Sequence, residues 1–205
     1  MTGRNLRVGI LGGSFNPAHD GHLHVSQLAL DQLELDELWW LVSPQNPLKP
    51  VEGMAPFAKR FEQASVIAAR DGRIRVSDFE NQSGTIYSVD TIAALKKTYP
   101  DTSFVWVVGA DNLRQMPKWQ GWQKIFRSVP IAVFPRVPFS LRALRGRAAR
   151  RFAGAQIQHK DAARLAGHRA PAWVMLQAPL NLQSATRIRK AESGGWEIFP
   201  SVNKH

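Results

Sequence analysis

Short apolar runs alternate with longer stretches of helical periodicity along most of the chain. The runs that predict β-strands lie at residues 6–11, 38–42, 74–76, 104–108, 131–134 and 173–176. The stretches that predict helices lie at residues 22–35, 56–70, 88–98, 141–152 and 185–193. Strands that alternate with helices favour a parallel sheet covered on both faces. We therefore predict a doubly wound α/β fold with a mainly parallel sheet, followed by a small C-terminal helical part.

The length of 205 residues suits one domain, and an apolar content of 44% is enough to bury a core. We expect a single domain over residues 1–205, with about 184–205 as the C-terminal helical segment. The chain has no cysteine, which excludes disulfides and thiolate chemistry and is compatible with a reducing compartment. The apolar run at residues 6–11 is too short for a signal peptide core or a membrane span. We expect a cytoplasmic protein with no membrane partner.

The formal net charge is +11, which favours anionic partners. Between residues 136 and 169 the only acid is Asp161, and the bases are Arg136, Arg142, Arg145, Arg147, Arg150, Arg151, Lys160, Arg164 and Arg169. A solvated helix face, steering of a polyanionic substrate and binding of nucleic acid all fit this stretch. Nucleic acid fits it least well, because no aromatic residue interleaves with the bases between Arg142 and Arg151.

The first predicted strand runs into a turn rich in glycine and proline at residues 12–22. Gly12 and Gly13 allow backbone N–H groups to approach a phosphate closely, and the next helix presents its N-terminal dipole to the same anion. His19 and His22 lie at the start of that helix, where imidazoles can donate hydrogen bonds to phosphoryl oxygens. This combination predicts a phosphate site after the first strand.

Three other interpretations of this turn have weaker support. The glycine spacing does not give G-x-G-x-x-G, and no G-x-x-x-x-G-K-[ST] occurs, so a dehydrogenase and a P-loop kinase lose their main motif. His19, His22 and His24 are close enough in sequence to suggest a metal site. Since they do not form a recognised zinc spacing, and a phosphate site also accounts for the glycines, we predict no protein metal centre.

Residues 12–22 resemble the signature G-G-x-F-x-P-x-H-x-G-H of the nucleotidyltransferase superfamily with the HxGH motif. Residues 184–189, Ser-Ala-Thr-Arg-Ile-Arg, resemble the second signature of that superfamily. Between them, residues 87–88, 109–112 and 117–119 are similar to the bacterial nicotinate mononucleotide adenylyltransferases. The resemblance extends from about residue 8 to about residue 199. One departure is Asn16, which stands where many members have aspartate.

The resemblance implies a Rossmann-like nucleotidyltransferase fold and a transferase of NAD biosynthesis. Such an enzyme transfers AMP from ATP to nicotinate mononucleotide and releases nicotinate adenine dinucleotide and pyrophosphate. The 5′-phosphate of the acceptor attacks the α-phosphorus directly, so neither an enzyme nucleophile nor a general base is needed. Catalysis then consists of aligning the two substrates and stabilising charge.

The resemblance also implies which residues bind ATP. His19, His22 and Arg189 are the expected catalytic residues, with His22 nearest the α-phosphate and Arg189 facing the leaving pyrophosphate. Mg²⁺ is the expected cofactor and would bridge phosphate oxygens. The further residues expected to bind ATP are Gly12, Gly13, Ser14, Phe15, Gly109, Asp111, Ser184 and Thr186, of which Asp111 would face the adenosine ribose.

A second set of residues is expected to bind the mononucleotide. Trp119 would stack on the pyridinium ring, although core packing is its alternative role. Tyr87 and Ser88 would offer backbone N–H groups to the carboxylate at the start of a helix, with Ser88 as its N-cap. The remaining expected contacts are Asn46, Lys49 and Arg136. Trp39, Trp40 and Trp106 lie within predicted strands and are expected in the core.

Other functions remain open at this level. A sister enzyme that adenylylates 4′-phosphopantetheine shares the first motif, and nicotinamide mononucleotide could be the preferred acceptor. A basic nucleic-acid-binding protein is the alternative from a different class. The oligomeric state, monomer or dimer, is left open by the sequence.

Overall fold

The computed structural model describes residues 5–44, 53–135 and 140–177. Within these residues, seven strands form one sheet in the order β3-β2-β1-β4-β5-β7-β6, and every neighbouring pair is parallel. The strands are β1 Leu6–Gly13, β2 Glu37–Val42, β3 Ile74–Ser77, β4 Thr102–Gly109, β5 Ile131–Phe134, β6 Gln156–Ile157 and β7 Trp173–Met175. The predicted parallel sheet is confirmed, and the structure adds β6 at its edge.

The helices of the described residues connect these strands. They are α1 Asp20–Gln32, α2 Phe57–Ala68, α3 Phe79–Ser83, α4 Ser88–Thr98, α5 Ala110–Gln115, α6 Trp122–Ser128, α7 Ser140–Leu144 and α8 Arg147–Arg151. Shorter 3-10 turns occupy Met116–Lys118, Ala153–Ala155 and His159–Gly167. None of the helices in this part of the chain is both long and apolar enough to cross a membrane.

Both faces of the sheet are buried, because helices pack against each of them. Successive strand residues point to opposite faces. On one face, Ile10, Trp39 and Trp106 pack with residues of α4, α5 and α6. On the other face, Trp40 and Val107 pack with residues of α1 and α2. The three strand tryptophans are therefore core residues, as predicted, and the doubly wound arrangement is confirmed.

The order of the strands reverses between β1 and β4. The chain passes from β1 outward through β2 to β3, and then returns to place β4 on the other side of β1. The carboxyl ends of two adjacent strands thus lead into loops that diverge, which opens a crevice at this edge of the sheet. The turn after β1 and the start of α5 after β4 both lie at this point.

Two local predictions are wrong. The predicted helix over residues 141–152 is two short helices, because Gly146 adopts an extended conformation (φ −73°, ψ 164°) and caps α8. Ser88 is the first residue of α4 rather than its N-cap, and the extended residue before the helix is Tyr87. The predicted C-terminal helix over 185–193, and the segment 184–205 that contains it, lie outside the described residues.

Candidate nucleotide-binding site

A cavity of about 540 Å³ opens at the carboxyl ends of β1 and β4. This volume lies within the range that small-molecule sites occupy. Its lining combines the last residues of β1, the residues just after β1 and β2, the α3–α4 region, β4, and the segment from α5 to just before α6. They are Gly12, Gly13, Ser14, Ser43, Glu80, Ile86, Tyr87, Ser88, Trp106, Val108, Asp111, Asn112, Gln115, Lys118, Trp119 and Gln120.

The turn after β1 is held in place by Phe15, which is 2% exposed. Its ring stacks on Trp40 of β2 with the ring centroids 5.0 Å apart, and lies 4.9 Å from the His22 ring. Phe15 has φ 46°, a conformation that a residue with a side chain rarely adopts. The packing of its ring stabilises this conformation, so Phe15 supports the turn from behind and is not part of the cavity lining.

The two histidines of the turn together cap α1. Nδ1 of His19 accepts a hydrogen bond from the backbone N–H of Gly21 at 3.0 Å, and Nδ1 of His22 accepts one from the backbone N–H of His19 at 3.3 Å. Since Nδ1 is an acceptor in both rings, the proton of each neutral imidazole is assigned to Nε2. These two hydrogen bonds therefore fix Nε2 as the ring nitrogen that each neutral histidine presents as a donor.

Candidates for binding the acceptor, and the ATP candidate Asp111, line the same cavity. Tyr87 and Ser88 mark the start of α4, and Asp111 lies in the first turn of α5. Trp119 both lines the cavity and packs, half-buried, against the core. The packing and ligand-binding roles proposed for Trp119 are therefore compatible with each other.

The structure thus gathers many of the predicted residues at one place. Gly12, Gly13, Ser14, Tyr87, Ser88, Asp111 and Trp119 all line the cavity. His19 is the N-cap of α1 and His22 lies in its first turn, and neither is among the residues that line the cavity. Gly109 ends β4 beside the lining residue Val108. Asn46, Lys49, Arg136, Ser184, Thr186 and Arg189 lie outside the described residues.

The position of the loop that begins at Ser43, directly after a predicted strand, indicates a binding loop, and Ser43 lines the cavity. Sequence reasoning missed Glu80 and the second role of Trp106. Trp106 is a core residue whose ring also reaches the cavity. Glu80 is 7% exposed and accepts a hydrogen bond from Oγ1 of Thr91 at 3.1 Å. Burial raises the pKa of the Glu80 carboxyl above its ordinary value, while the hydroxyls of Thr91 and Ser43 oppose the rise. These residues come from separate elements and share no motif, so only the folded chain brings them together.

No group of three or more histidine or acidic side chains in the described part of the chain could hold a metal ion. His19 and His22 each use Nδ1 to cap α1. The predicted neighbour His24 is not part of this cap.

The comparisons with known proteins agree with this architecture. The model of the cytidylyltransferase-like family matches residues 10–191. A relative from Parvibaculum lavamentivorans, named "Probable nicotinate-nucleotide adenylyltransferase", is 52% identical over 94% of this chain and 94% of its own. A relative of the same name from a Caulobacter species is 48% identical over 93% of this chain and all of its own.

A solved structure shows the same fold at a greater distance. The nicotinic acid mononucleotide adenylyltransferase of Plasmodium falciparum, in complex with NaAD, superposes with a TM-score of 0.68 at 18% identity. The match covers 90% of this chain and 83% of that one. At this identity the likeness concerns the fold alone.

A doubly wound parallel sheet with a glycine turn and a cavity at its switch point is the architecture of a nucleotide-binding enzyme. The family model and the named relatives show to which group of nucleotide-binding enzymes the chain is similar, and they confirm the resemblance seen at residues 12–22. The chain belongs to the cytidylyltransferase-like family, and the relatives described above are named as probable nicotinate-nucleotide adenylyltransferases.

Proposed function

We propose that the protein transfers AMP from ATP to nicotinate mononucleotide and releases nicotinate adenine dinucleotide and pyrophosphate. One observation carries the proposal for this chain. The glycine turn expected to bind ATP and the Tyr87, Ser88 and Trp119 set expected to bind the acceptor line the same cavity. Two substrates that must react with each other need such a shared site. The names of the relatives at about half identity support the same reaction.

The chemistry requires alignment more than covalent participation by the protein. The phosphate of the acceptor has a second pKa of about 6, so at neutral pH it is already an anion that can attack the α-phosphorus. The obstacle is repulsion between the two anionic substrates, which fixed donors reduce. We assign this role to the Nε2–H groups of His19 and His22, with His22 nearest the α-phosphate, and to backbone N–H groups of residues 12–15. Ser184, Thr186 and Arg189 are assigned to the β- and γ-phosphates.

Specificity for the acceptor is assigned to Tyr87, Ser88 and Trp119, which line the same cavity as the glycines. The first N–H groups of an α-helix have no partner within the helix, so the start of α4 at Tyr87 and Ser88 suits a carboxylate. Trp119 offers an aromatic face to the pyridinium ring, an attraction worth about 0.5–2 kcal/mol. Asn46, Lys49 and Arg136 are proposed as further contacts to the mononucleotide. Asp111 is proposed to bind the ribose of adenosine.

Mg²⁺ is proposed as the cofactor that arrives with ATP. The cavity lining contains the separate carboxylates Asp111 and Glu80 and, within the described residues, no cluster of three or more metal ligands. This set fits a cation that keeps most of its waters and is held mainly by substrate phosphates. When bound, Mg²⁺ would neutralise part of the charge on the phosphate oxygens.

The proposal is tested by measuring pyrophosphate release from ATP with a panel of acceptors. Nicotinate mononucleotide should support release at the highest kcat/KM, with a dinucleotide as the second product. Nicotinamide mononucleotide tests the choice between a carboxylate and an amide. Release with 4′-phosphopantetheine in preference to both mononucleotides would refute the proposal and assign the sister activity.

Three further expectations remain proposals. We propose that the protein is a single domain and acts in the cytoplasm, where its reducing environment is compatible with a cysteine-free chain. We also propose that the exposed arginines of α7 and α8 attract the anionic substrates and do not bind nucleic acid. In support, both helices pack against α5, which lines the cavity.

A further inference from the structure

A buried arginine lies directly behind the cavity. Arg60, on the inner face of α2, is 1% exposed and donates four hydrogen bonds, all to backbone carbonyl oxygens. Its Nη1 donates to Ser14 at 2.6 Å and to Ser43 at 2.9 Å, Nη2 donates to Pro44 at 2.9 Å, and Nε donates to Ala55 at 2.9 Å. Arg60 itself is not among the residues that line the cavity.

The four carbonyls belong to three different segments. Ser14 lies in the turn between β1 and α1, which is proposed to hold the ATP phosphates and is called the phosphate turn below. Ser43 and Pro44 follow β2, and Ala55 precedes α2. Ser14 and Ser43 line the cavity, so one guanidinium fixes two parts of its wall relative to each other. The backbone N–H of Ser43 also donates to the carbonyl of Gly13 at 2.9 Å, which joins the same two segments.

Asn16 reinforces this junction from the other side of the turn. Its Nδ2 donates to the carbonyl of Gly53 at 3.0 Å, and its Oδ1 accepts from the N–H of Ala55 at 3.1 Å. The phosphate turn is therefore tied to the residues just before α2 by Asn16, and to those just after β2 by Arg60. Both ends of the β2–α2 connection are fixed to the turn that is expected to hold ATP.

Arginine is the side chain that can make this junction. A planar guanidinium carries five N–H donors in a fixed fork, whereas a lysine ammonium carries three on one flexible atom. Burial lowers the pKa of the Arg60 guanidinium, yet arginine in proteins stays protonated at neutral pH. A buried cation is costly unless hydrogen bonds compensate it, and here four carbonyl oxygens do so.

We propose that Arg60 is a positioning residue for AMP transfer, which sets the phosphate turn at Ser14 against the end of β2 at Ser43 without touching either substrate. The inference rests on the proposed function. A misplacement of about 1 Å can cost about 10²-fold in rate, so the loss of this junction should appear in kinetics and not only in stability.

The experiment compares Arg60→Lys, Arg60→Ala and the control Lys59→Met, which removes a charge from an exposed neighbour on the same helix. For each variant, thermal unfolding, the Kd for ATP, and kcat and KM for both substrates are measured. Arg60→Ala is also assayed with and without millimolar guanidinium chloride, and with sodium chloride at the same concentration. The unmodified protein is assayed under the same three conditions.

We expect Arg60→Lys to fold with kcat/KM for ATP lowered about 10²-fold, because its ammonium cannot reach all three segments. Guanidinium chloride should raise kcat/KM of Arg60→Ala at least tenfold, and sodium chloride should not. Lys59→Met should have the same kinetic constants as the unmodified protein. Normal kinetic constants in Arg60→Lys, or a folded Arg60→Ala that guanidinium does not rescue, would overturn the inference. If neither variant folds, Arg60 serves stability and the inference is also wrong. An unmodified protein that binds ATP but transfers AMP to no mononucleotide would instead refute the proposed function.

Discussion

The two histidines at the start of α1 orient each other. The backbone N–H of His19 donates to Nδ1 of His22 at 3.3 Å, and the centroids of the two rings are 3.9 Å apart. Nδ1 of His19 likewise accepts a hydrogen bond, from the backbone N–H of Gly21. In its neutral form each ring therefore carries its proton on Nε2. A residue pair whose Nδ1 atoms cap a helix and whose Nε2 atoms are donors is suited to an anion at the helix start.

We predict that His22→Ala nearly abolishes turnover. The loss of one donor to the developing charge costs about 10²–10³-fold in kcat, whereas the loss of the cap contact should cost only about 0.5–2 kcal/mol of folding stability. Steady-state kinetics and urea unfolding measure the two effects separately. His24→Ala, on the same helix but outside the cap, is the matched control. Near-normal turnover in His22→Ala would show that this imidazole does not act on a phosphate.

We predict that Trp119→Ala raises the KM for nicotinate mononucleotide much more than the KM for ATP. The ring lines the cavity but also packs against the core, so the variant should lose some stability as well. Trp119→Phe keeps an aromatic face and should retain most of the affinity for the acceptor. Equal rises in both KM values in the two variants would indicate that Trp119 serves only packing.

Glu80 should make the protein less stable as the pH rises. Burial raises its pKa above the ordinary value of 4.5, so the folded state holds the proton where the unfolded state has released it. The stabilising contribution is full below pH 4.5 and is lost as the pH rises through the higher folded pKa. Glu80→Gln keeps an acceptor for Thr91 but cannot ionise.

The free energy of unfolding of Glu80→Gln and of the unmodified protein should therefore be compared from pH 4 to pH 8. The free energy of unfolding of Glu80→Gln, relative to that of the unmodified protein, should increase with pH. Glu62→Gln, at an exposed position on α2, should show no such trend. A difference that is constant, or that shrinks with pH, would contradict the direction of the Glu80 shift.

The exposed arginines of α8 should attract the anionic substrate ATP over a distance. Arg147, Arg150 and Arg151 form no ion pair within the described part of the chain, and α8 packs against α5 beside the cavity. We predict that Arg150→Glu lowers kcat/KM for ATP at low salt with little change in kcat, and that the difference disappears near 1 M salt, where the Debye length is about 3 Å. Lys97→Glu, in the last turn of α4, is the control and should have a smaller effect.

Local sequence patterns predict most of the sheet but not its short elements. The strands over residues 38–42, 104–108 and 131–134 contain runs of apolar residues, and each lies in the sheet as expected. The two-residue strand β6 and the five-residue helix α3 are too short to show a period. The break between α7 and α8 depends on Gly146, where an added Cβ would lie 2.9 Å from the carbonyl oxygen of Ala143. Such a contact is a property of the folded backbone.

The candidate site likewise contains residues that a local motif predicts and residues that only the fold brings together. The contiguous turn at residues 12–22 is a motif, so its residues are readable from the sequence. Glu80 carries no such signal, because it meets Ser43 and Thr91 only across separate elements. The position of Arg60 in the sequence does indicate a buried role. It lies at helical spacing from Phe57 and Ala64, on the apolar face of α2, where a charged residue needs buried partners.

In the proposed reaction, AMP passes directly from ATP to the acceptor phosphate within this cavity. This direct transfer can be followed by incubating the protein with ATP radiolabelled at the α-phosphorus, with and without nicotinate mononucleotide, and separating protein from nucleotides under denaturing conditions. We expect label in nicotinate adenine dinucleotide only when the acceptor is present, and no label on the protein in either case. Label attached to the protein, or ATP consumed with no labelled dinucleotide, would show that the transfer is not direct.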